Sequence, residues 1–277
     1  MKQTIKKPSI SADPSEVPGV SRRSFLTRAS VAGAIALSPF PALANARGDN
    51  GNGPLNQGDT AILIAAEIAE ALAVTTYTNI INMAPFFPNI QADDQGYLRA
   101  ALQEEMSHYL VEQSVTNKPS PFTRFFYPPN MFVDSQTTIN VLVTLEDAFI
   151  AAYLVGVRNF STANLRVTAA RIMGIESDHR TLARVLAGDV ASQDGGPIEK
   201  ITGAQGVAEP ADPPNNNGYE RTLCWRNINQ AVAALTPFAD INAAKAAGFD
   251  VSKSFGFDPF TPKLPNPLGD FISFRGC

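Results

Sequence analysis

The chain has two histidines, His108 and His179, and each stands three residues after a glutamate, in Glu105-Met106-Ser107-His108 and Glu176-Ser177-Asp178-His179. Residues three apart on a helix share a face, so each pair can present a carboxylate and an imidazole to one point. Eleven residues of the 277 are glutamate, so both histidines acquiring such a partner by accident has odds of roughly one in six hundred. Two further glutamates lie in stretches that otherwise exclude charge: Glu70 in Ile68-Ala69-Glu70-Ala71-Leu72, and Glu146 in Val143-Thr144-Leu145-Glu146. A carboxylate on an apolar helical stripe must be paired, protonated or bound to a cation, because burying it bare is prohibitively costly. Carboxylates mixed with imidazoles suit iron or manganese better than calcium, which takes oxygen alone, or structural zinc, which favours thiolate. Four carboxylates and two neutral imidazoles carry four negative charges, which two divalent ions cancel in a low-dielectric interior.

Glu70 and Glu146 are each followed seven residues later by a tyrosine, Tyr77 and Tyr153, two helical turns along on nearly the same face. The chain thus reads Glu, Tyr, Glu-x-x-His twice, an internal repeat of two helix pairs. Tyr77 and Tyr153 are the candidate catalytic residues; the alternative is two core aromatics with hydrogen-bonded hydroxyls. Four acidic neighbours, Glu67, Glu104, Asp147 and Asp178, are expected on solvated faces or as acceptors for histidine N–H groups. Glu67, one turn before Glu70, is the best placed to replace a ligand.

These side chains need helices to position them. Apolar residues recur at helical spacing from Asp59, a reasonable N-cap, to Pro85, and again from about Asp94 to Val115. A connection of about twenty residues follows, Thr116 to Asp134, with four prolines and five aromatics. It is too aromatic for a solvated linker, and its length lets the chain cross a bundle end to end, with the aromatics packed on the flank. Helix three is expected from about Ser135 to Arg158 and helix four from about Ser161 to Leu186, ending at Gly188. Helix three could pass for a membrane span, but its acids Glu146 and Asp147 favour a buried bundle helix. With no strand signal between them, the four helices predict an all-α bundle over residues 59–187. Residues 188–277 form an irregular Pro/Gly-rich extension with one further helix, Tyr219 to about Ala247, broken at Pro237, and a tail from Phe255 that reads as packed.

Residues 1–46 read as an address. Ser21-Arg22-Arg23-Ser24-Phe25-Leu26 precedes an uncharged stretch from Ala29 to Leu43 and then Ala44-Asn45-Ala46, so cleavage after Ala46 is expected. The apolar segment is short for a bilayer and has no cysteine for lipid attachment, so the mature protein is expected without stable membrane insertion. Residues 47–58 form a Gly/Asn-rich flexible leader. Loss of the first 46 residues, net +4, moves the formal charge from −4 to −8, a poor balance for nucleic-acid binding. Cys224 and Cys277 are too few for a zinc site. In an oxidising compartment they are expected to form a disulfide, the alternative being two unpaired thiols.

The N-terminal segment resembles a twin-arginine signal, which implies export of the folded protein to the periplasm or beyond. The helical segment resembles the ferritin-like superfamily, which includes bacterioferritins, rubrerythrins and manganese catalases. The resemblance rests on Glu70, Glu105-x-x-His108, Glu146 and Glu176-x-x-His179, and is a match to an arrangement already known for that superfamily. It implies that these six residues ligate two ions of iron or manganese, with Glu105 and Glu176 bridging and Tyr77 packed behind the ligands of helix one. It also implies ferrous iron, dioxygen or peroxide as small substrates, in ferroxidase or peroxide-consuming chemistry, and a homo-oligomer as one assembly. The long extension departs from cage-forming ferritins and argues against storage in a large shell. The competing expectation is a stress-related structural or binding protein that uses a metal-stabilised bundle as its scaffold.

Overall fold

The computed structural model describes residues 55–190, 200–202, 208–210 and 223–259. The proposed signal segment, residues 47–54 of the leader, and Cys277 lie outside the described residues, so the pairing of Cys224, whose side chain is exposed, does too.

Helix α1 (Gln57–Met83) is capped not by Asp59 but by Asn56, whose side chain accepts a hydrogen bond from the Asp59 backbone N–H. The Asp59 carboxylate is buried and instead accepts from the Ser161 backbone N–H at 2.9 Å and from the Ser161 hydroxyl, fastening the start of α1 to a distant turn. The helix stops ahead of Pro85, as expected of a residue that disfavours helical geometry before it. After a short 3₁₀ turn, Phe87–Asn89, helix α2 (Ala92–Thr116) begins two residues earlier than expected and ends on Asn117 in the left-handed region. Helix α3 (Ser135–Asn159) is capped by Asp134 and helix α4 (Ala163–Asp189) by Thr162. The four helices form the bundle, with α1 packed mainly on α2 and α3 mainly on α4.

By composition α1 and α3 are long and apolar enough to cross a membrane, yet 78% and 83% of their most apolar stretches are buried inside the protein. Both also bury carboxylates, so their apolarity serves a core.

The bundle is helical as expected, and short strands accompany it in the crossover and the extension. Strand β1 (Arg124–Tyr127) lies within the α2–α3 crossover and pairs antiparallel with β4 (Asp250–Gly256), Arg124 opposite Gly256 and Phe125 opposite Phe255. A second antiparallel pair joins β2 (Lys200–Thr202) to β3 (Ala208–Pro210). Among the described residues, the one further helix expected in the extension is two: α5 (Ile228–Ala239), which contains Pro237, and α6 (Ile241–Ala246), capped by Asp240. The break therefore falls at Asp240 and not at Pro237. The crossover aromatics pack as expected: Tyr127 meets Phe132, Phe255 and Phe238 edge-on at 4.9, 5.3 and 5.8 Å between ring centres. Such pairs stabilise by about 0.5–1.5 kcal/mol each beyond their burial, which holds the extension to the crossover.

Candidate metal centre

Each bundle helix contributes to one buried cluster: Glu70 from α1, Glu105 and His108 from α2, Glu146 from α3, Glu176 and His179 from α4. None of the six is more than 8% exposed. Glu70, Glu105, His108 and Glu176 each place one donor atom within 4.8 Å of the others, and Glu105, Glu146, Glu176 and His179 do the same. The two sets share Glu105 and Glu176. Every candidate ligand named from spacing is thus brought into the cluster.

The histidines enter it in matching ways. His108 Nδ1 lies 3.1 Å from Glu176 Oε1, 3.4 Å from Glu105 Oε2 and 3.6 Å from Glu70 Oε2. His179 Nδ1 lies 3.0 Å from Glu105 Oε1 and 3.5 Å from Glu176 Oε2, while its Nε2 faces Glu104 Oε2 at 2.8 Å. One ring nitrogen of His179 therefore points into the cluster and the other is held by an outer carboxylate, the arrangement that orients an imidazole ligand.

Buried polar atoms seldom go without a partner. Here Glu70 Oε2, Glu105 Oε2, Glu146 Oε2, both Glu176 oxygens and His108 Nδ1 are buried without a hydrogen bond. All six atoms belong to residues of the two sets, so the donor arrangement fits cations at its centre. Burial pushes the Glu70 and Glu146 carboxyls well above the usual range, with repulsion from Glu105 and Glu176 adding to it. Burial also acts to raise Glu105, but the charge of His179 and the close approach of both imidazoles outweigh it and hold that carboxyl below the usual range. Burial acts to lower both imidazoles, yet the surrounding carboxylates, Glu70 foremost at His108 and Glu105 foremost at His179, raise them well above their usual value. Protons thus compensate the charge wherever cations do not.

The tyrosines stand behind the cluster. Tyr77 donates to Glu146 Oε1 at 2.7 Å, and the Tyr153 hydroxyl meets both Glu70 and Glu112, the latter at 2.7 Å. Each tyrosine thus reaches across to the carboxylate of the other half of the repeat. Burial, with repulsion from the nearby carboxylates, raises both hydroxyls well above their usual value.

The acidic neighbours divide. Asp178 is exposed, and Glu104 accepts from the His179 ring as an outer partner, both as expected. Asp147 is fully buried and pairs with Arg180 at 2.7 Å, because it faces α4 and not water. Glu67 is buried and accepts from the Thr116 hydroxyl, outside both donor sets, so it replaces no candidate ligand. Sequence reasoning missed Glu112, 3% exposed and bonded to Tyr153. Its position, seven residues after Glu105 and four after His108, was a usable signal. Glu112 and Tyr153 also line a narrow apolar cavity walled by Leu63, Phe149 and Phe160 and covered by Ile228 and Leu235 of α5.

A four-helix bundle with two overlapping carboxylate–imidazole sets in its core has donors that could hold metal ions between the helices. Residues 58–189 match the family model of the ferritin-like domain. No curated protein matches the chain.

Proposed function

We propose that the bundle holds two ions of iron or manganese and works outside the cytoplasm as a ferroxidase or a peroxide-consuming redox protein. The observation that supports this most is the pair of four-residue sets sharing Glu105 and Glu176, each with one histidine and one unshared glutamate. Glu70 and His108 would hold one ion, Glu146 and His179 the other, and Glu105 and Glu176 would serve both. Two such ions, each with an exchangeable position, supply one-electron steps toward dioxygen or peroxide. The chain's own part is to fix the donors. Tyr77 sets the Glu146 carboxylate, Tyr153 sets Glu70, and Glu104 sets the His179 ring.

The twin-arginine-like segment at the other end of the chain fits the same reading, since such a signal is a route often used when a cofactor is inserted before export. Elemental analysis of protein expressed with both metals, followed by assays of ferrous iron oxidation and peroxide turnover, tests the proposal. Two ions per chain with either activity is the expected result. Protein that binds neither metal ends it, and bound metal without turnover favours a scaffold. N-terminal sequencing of the exported chain should begin at Arg47.

A further inference from the structure

Two more carboxylates stand beside the six-residue cluster without belonging to either donor set. Glu67 is 0% exposed and Glu112 is 3% exposed. Each has one oxygen engaged by a hydroxyl, Thr116 for Glu67 and Tyr153 for Glu112. Each keeps its other oxygen, Oε2, buried without a hydrogen bond. A hydroxyl is a neutral donor and does not cancel a charge, so both carboxyls sit in low-dielectric surroundings with an uncompensated demand.

Their placement is ordered. Glu67 lies one turn before Glu70 on α1, and Glu112 one turn after His108 on α2. Thr116 lies one turn further, at the half-buried end of α2, where its hydroxyl reaches Glu67. At the inner end, the Tyr153 hydroxyl touches Glu112 and the cluster residue Glu70 together. Burial raises Glu112 well above its usual range, and the charge of Glu67 adds to it, so the two carboxyls are electrostatic neighbours. Oxygen donors therefore continue from the end of α2 to the edge of the cluster.

We propose that Glu67 and Glu112 form a transit station for a divalent cation passing between the C-terminal end of α2 and the six-residue site. The station rests on the reading that this site binds such ions. Two carboxylates and hydroxyl oxygens, with no imidazole, make a weaker set for iron or manganese than either inner set. An ion is drawn in by the charge, held loosely, and passed to donors that bind it more tightly. The buried, unpartnered oxygens are then the groups that meet the ion in passage. A purely structural pair of carboxyls would have no use for them.

The test is anaerobic stopped-flow loading of the metal-free full chain, with cobalt(II) followed by its visible absorption and with ferrous iron. Glu67→Gln and Glu112→Gln should each load about tenfold more slowly, the scale on which local charge focuses ions, while final occupancy stays at that of the parent chain. Thr116→Arg, which places a positive charge at the outer end and leaves both carboxyls intact, should slow loading similarly. Asp178→Asn, on an exposed face, should load at the parent rate. Far-ultraviolet circular dichroism checks that each variant is folded, and Thr116→Arg decides the matter should a glutamine variant fail to fold. Parent-rate loading in Glu67→Gln, Glu112→Gln and Thr116→Arg overturns the station, as does lost final occupancy at an unchanged rate. A parent chain that takes up no ion removes the dimetal reading itself, a result distinct from either.

Discussion

His108 Nδ1 lies 3.1 Å from Glu176 Oε1, although the two residues belong to different halves of the internal repeat. The reciprocal pair, His179 and Glu105, closes to 3.0 Å. Each Glu-x-x-His motif therefore lends its glutamate to the histidine of the other, which makes the shared carboxylates common to both donor sets. Neither half of the repeat completes a set alone, so the four helices must pack before the centre exists.

That interdependence sets the outcome of removing a histidine. His108→Ala and His179→Ala each delete one donor of one set and leave the other set intact. Occupancy should fall from two ions to one or none, with helical content retained, because the bundle core consists mainly of apolar side chains. Elemental analysis alongside circular dichroism measures both. Full occupancy in both variants would discard the ligand assignment.

Stability of the metal-free chain should depend on pH with a definite sign. The Glu70, Glu112 and Glu146 carboxyls are raised, chiefly by burial, above 4.5, and both imidazoles are raised by surrounding carboxylates above 6.5. A group whose folded pKa exceeds its unfolded value stabilises fully below the unfolded value, and that stabilisation is lost as pH rises toward the folded one. The three carboxyls act in this direction above pH 4.5 and the two imidazoles above pH 6.5. Glu105 acts oppositely, but its contribution is complete above 4.5 and is lost only in stronger acid. The thermal midpoint of chelated protein should therefore be higher at about pH 5 than at about pH 9. Bound cations replace those protons, so metal uptake should release protons and tighten as pH rises. A chelated midpoint that climbs with pH would contradict the charge assignment.

The helices and the inner donors were legible because both are local. A 3.6-residue period shows in any window, and Glu-x-x-His needs only one turn to be meaningful. Pairing of β1 with β4 was not, since Arg124 and Gly256 are 132 positions apart and the strand at Arg124–Tyr127 is four residues long. The cap of α1 was misplaced for a related reason. Asp59 has the right chemistry for a cap, but a contact with Ser161, far along the chain, takes its carboxylate. Asp147 likewise reads as a surface acid until Arg180 is seen facing it.

The tyrosines differ in what their hydroxyls must satisfy. Tyr77 has one acceptor, Glu146, whereas Tyr153 has two, Glu70 and Glu112, for a single O–H. One of those two carboxyls must then carry a proton of its own, or share the tyrosine's, in the metal-free protein. Tyr77→Phe should lower metal-free stability by about 1–3 kcal/mol, the cost of leaving a buried acceptor short of a donor. Iron oxidation should slow in that variant while occupancy holds. Unchanged turnover in both Tyr77→Phe and Tyr153→Phe would return the pair to the role of core aromatics.

The extension is the remaining element, and its attachment is aromatic. Phe238 of α5 is 0% exposed and stands between Tyr127 of the crossover and Phe249, at 5.8 and 5.0 Å between ring centres. Cutting it back to a methyl removes both edge contacts and opens a cavity beneath α5, so Phe238→Ala should destabilise the protein by about 3–5 kcal/mol. Because α5 also covers the apolar cavity that reaches Glu112 and Tyr153, the effect should not stop at the extension. Hydrogen exchange should quicken in α5 and β4, and in the crossover strand β1 to which β4 is bonded, before it quickens in α2 or α4. Uniform exchange across the chain, or a thermal midpoint unchanged from the parent, would mean that the extension is a passive appendage and not part of the folded core.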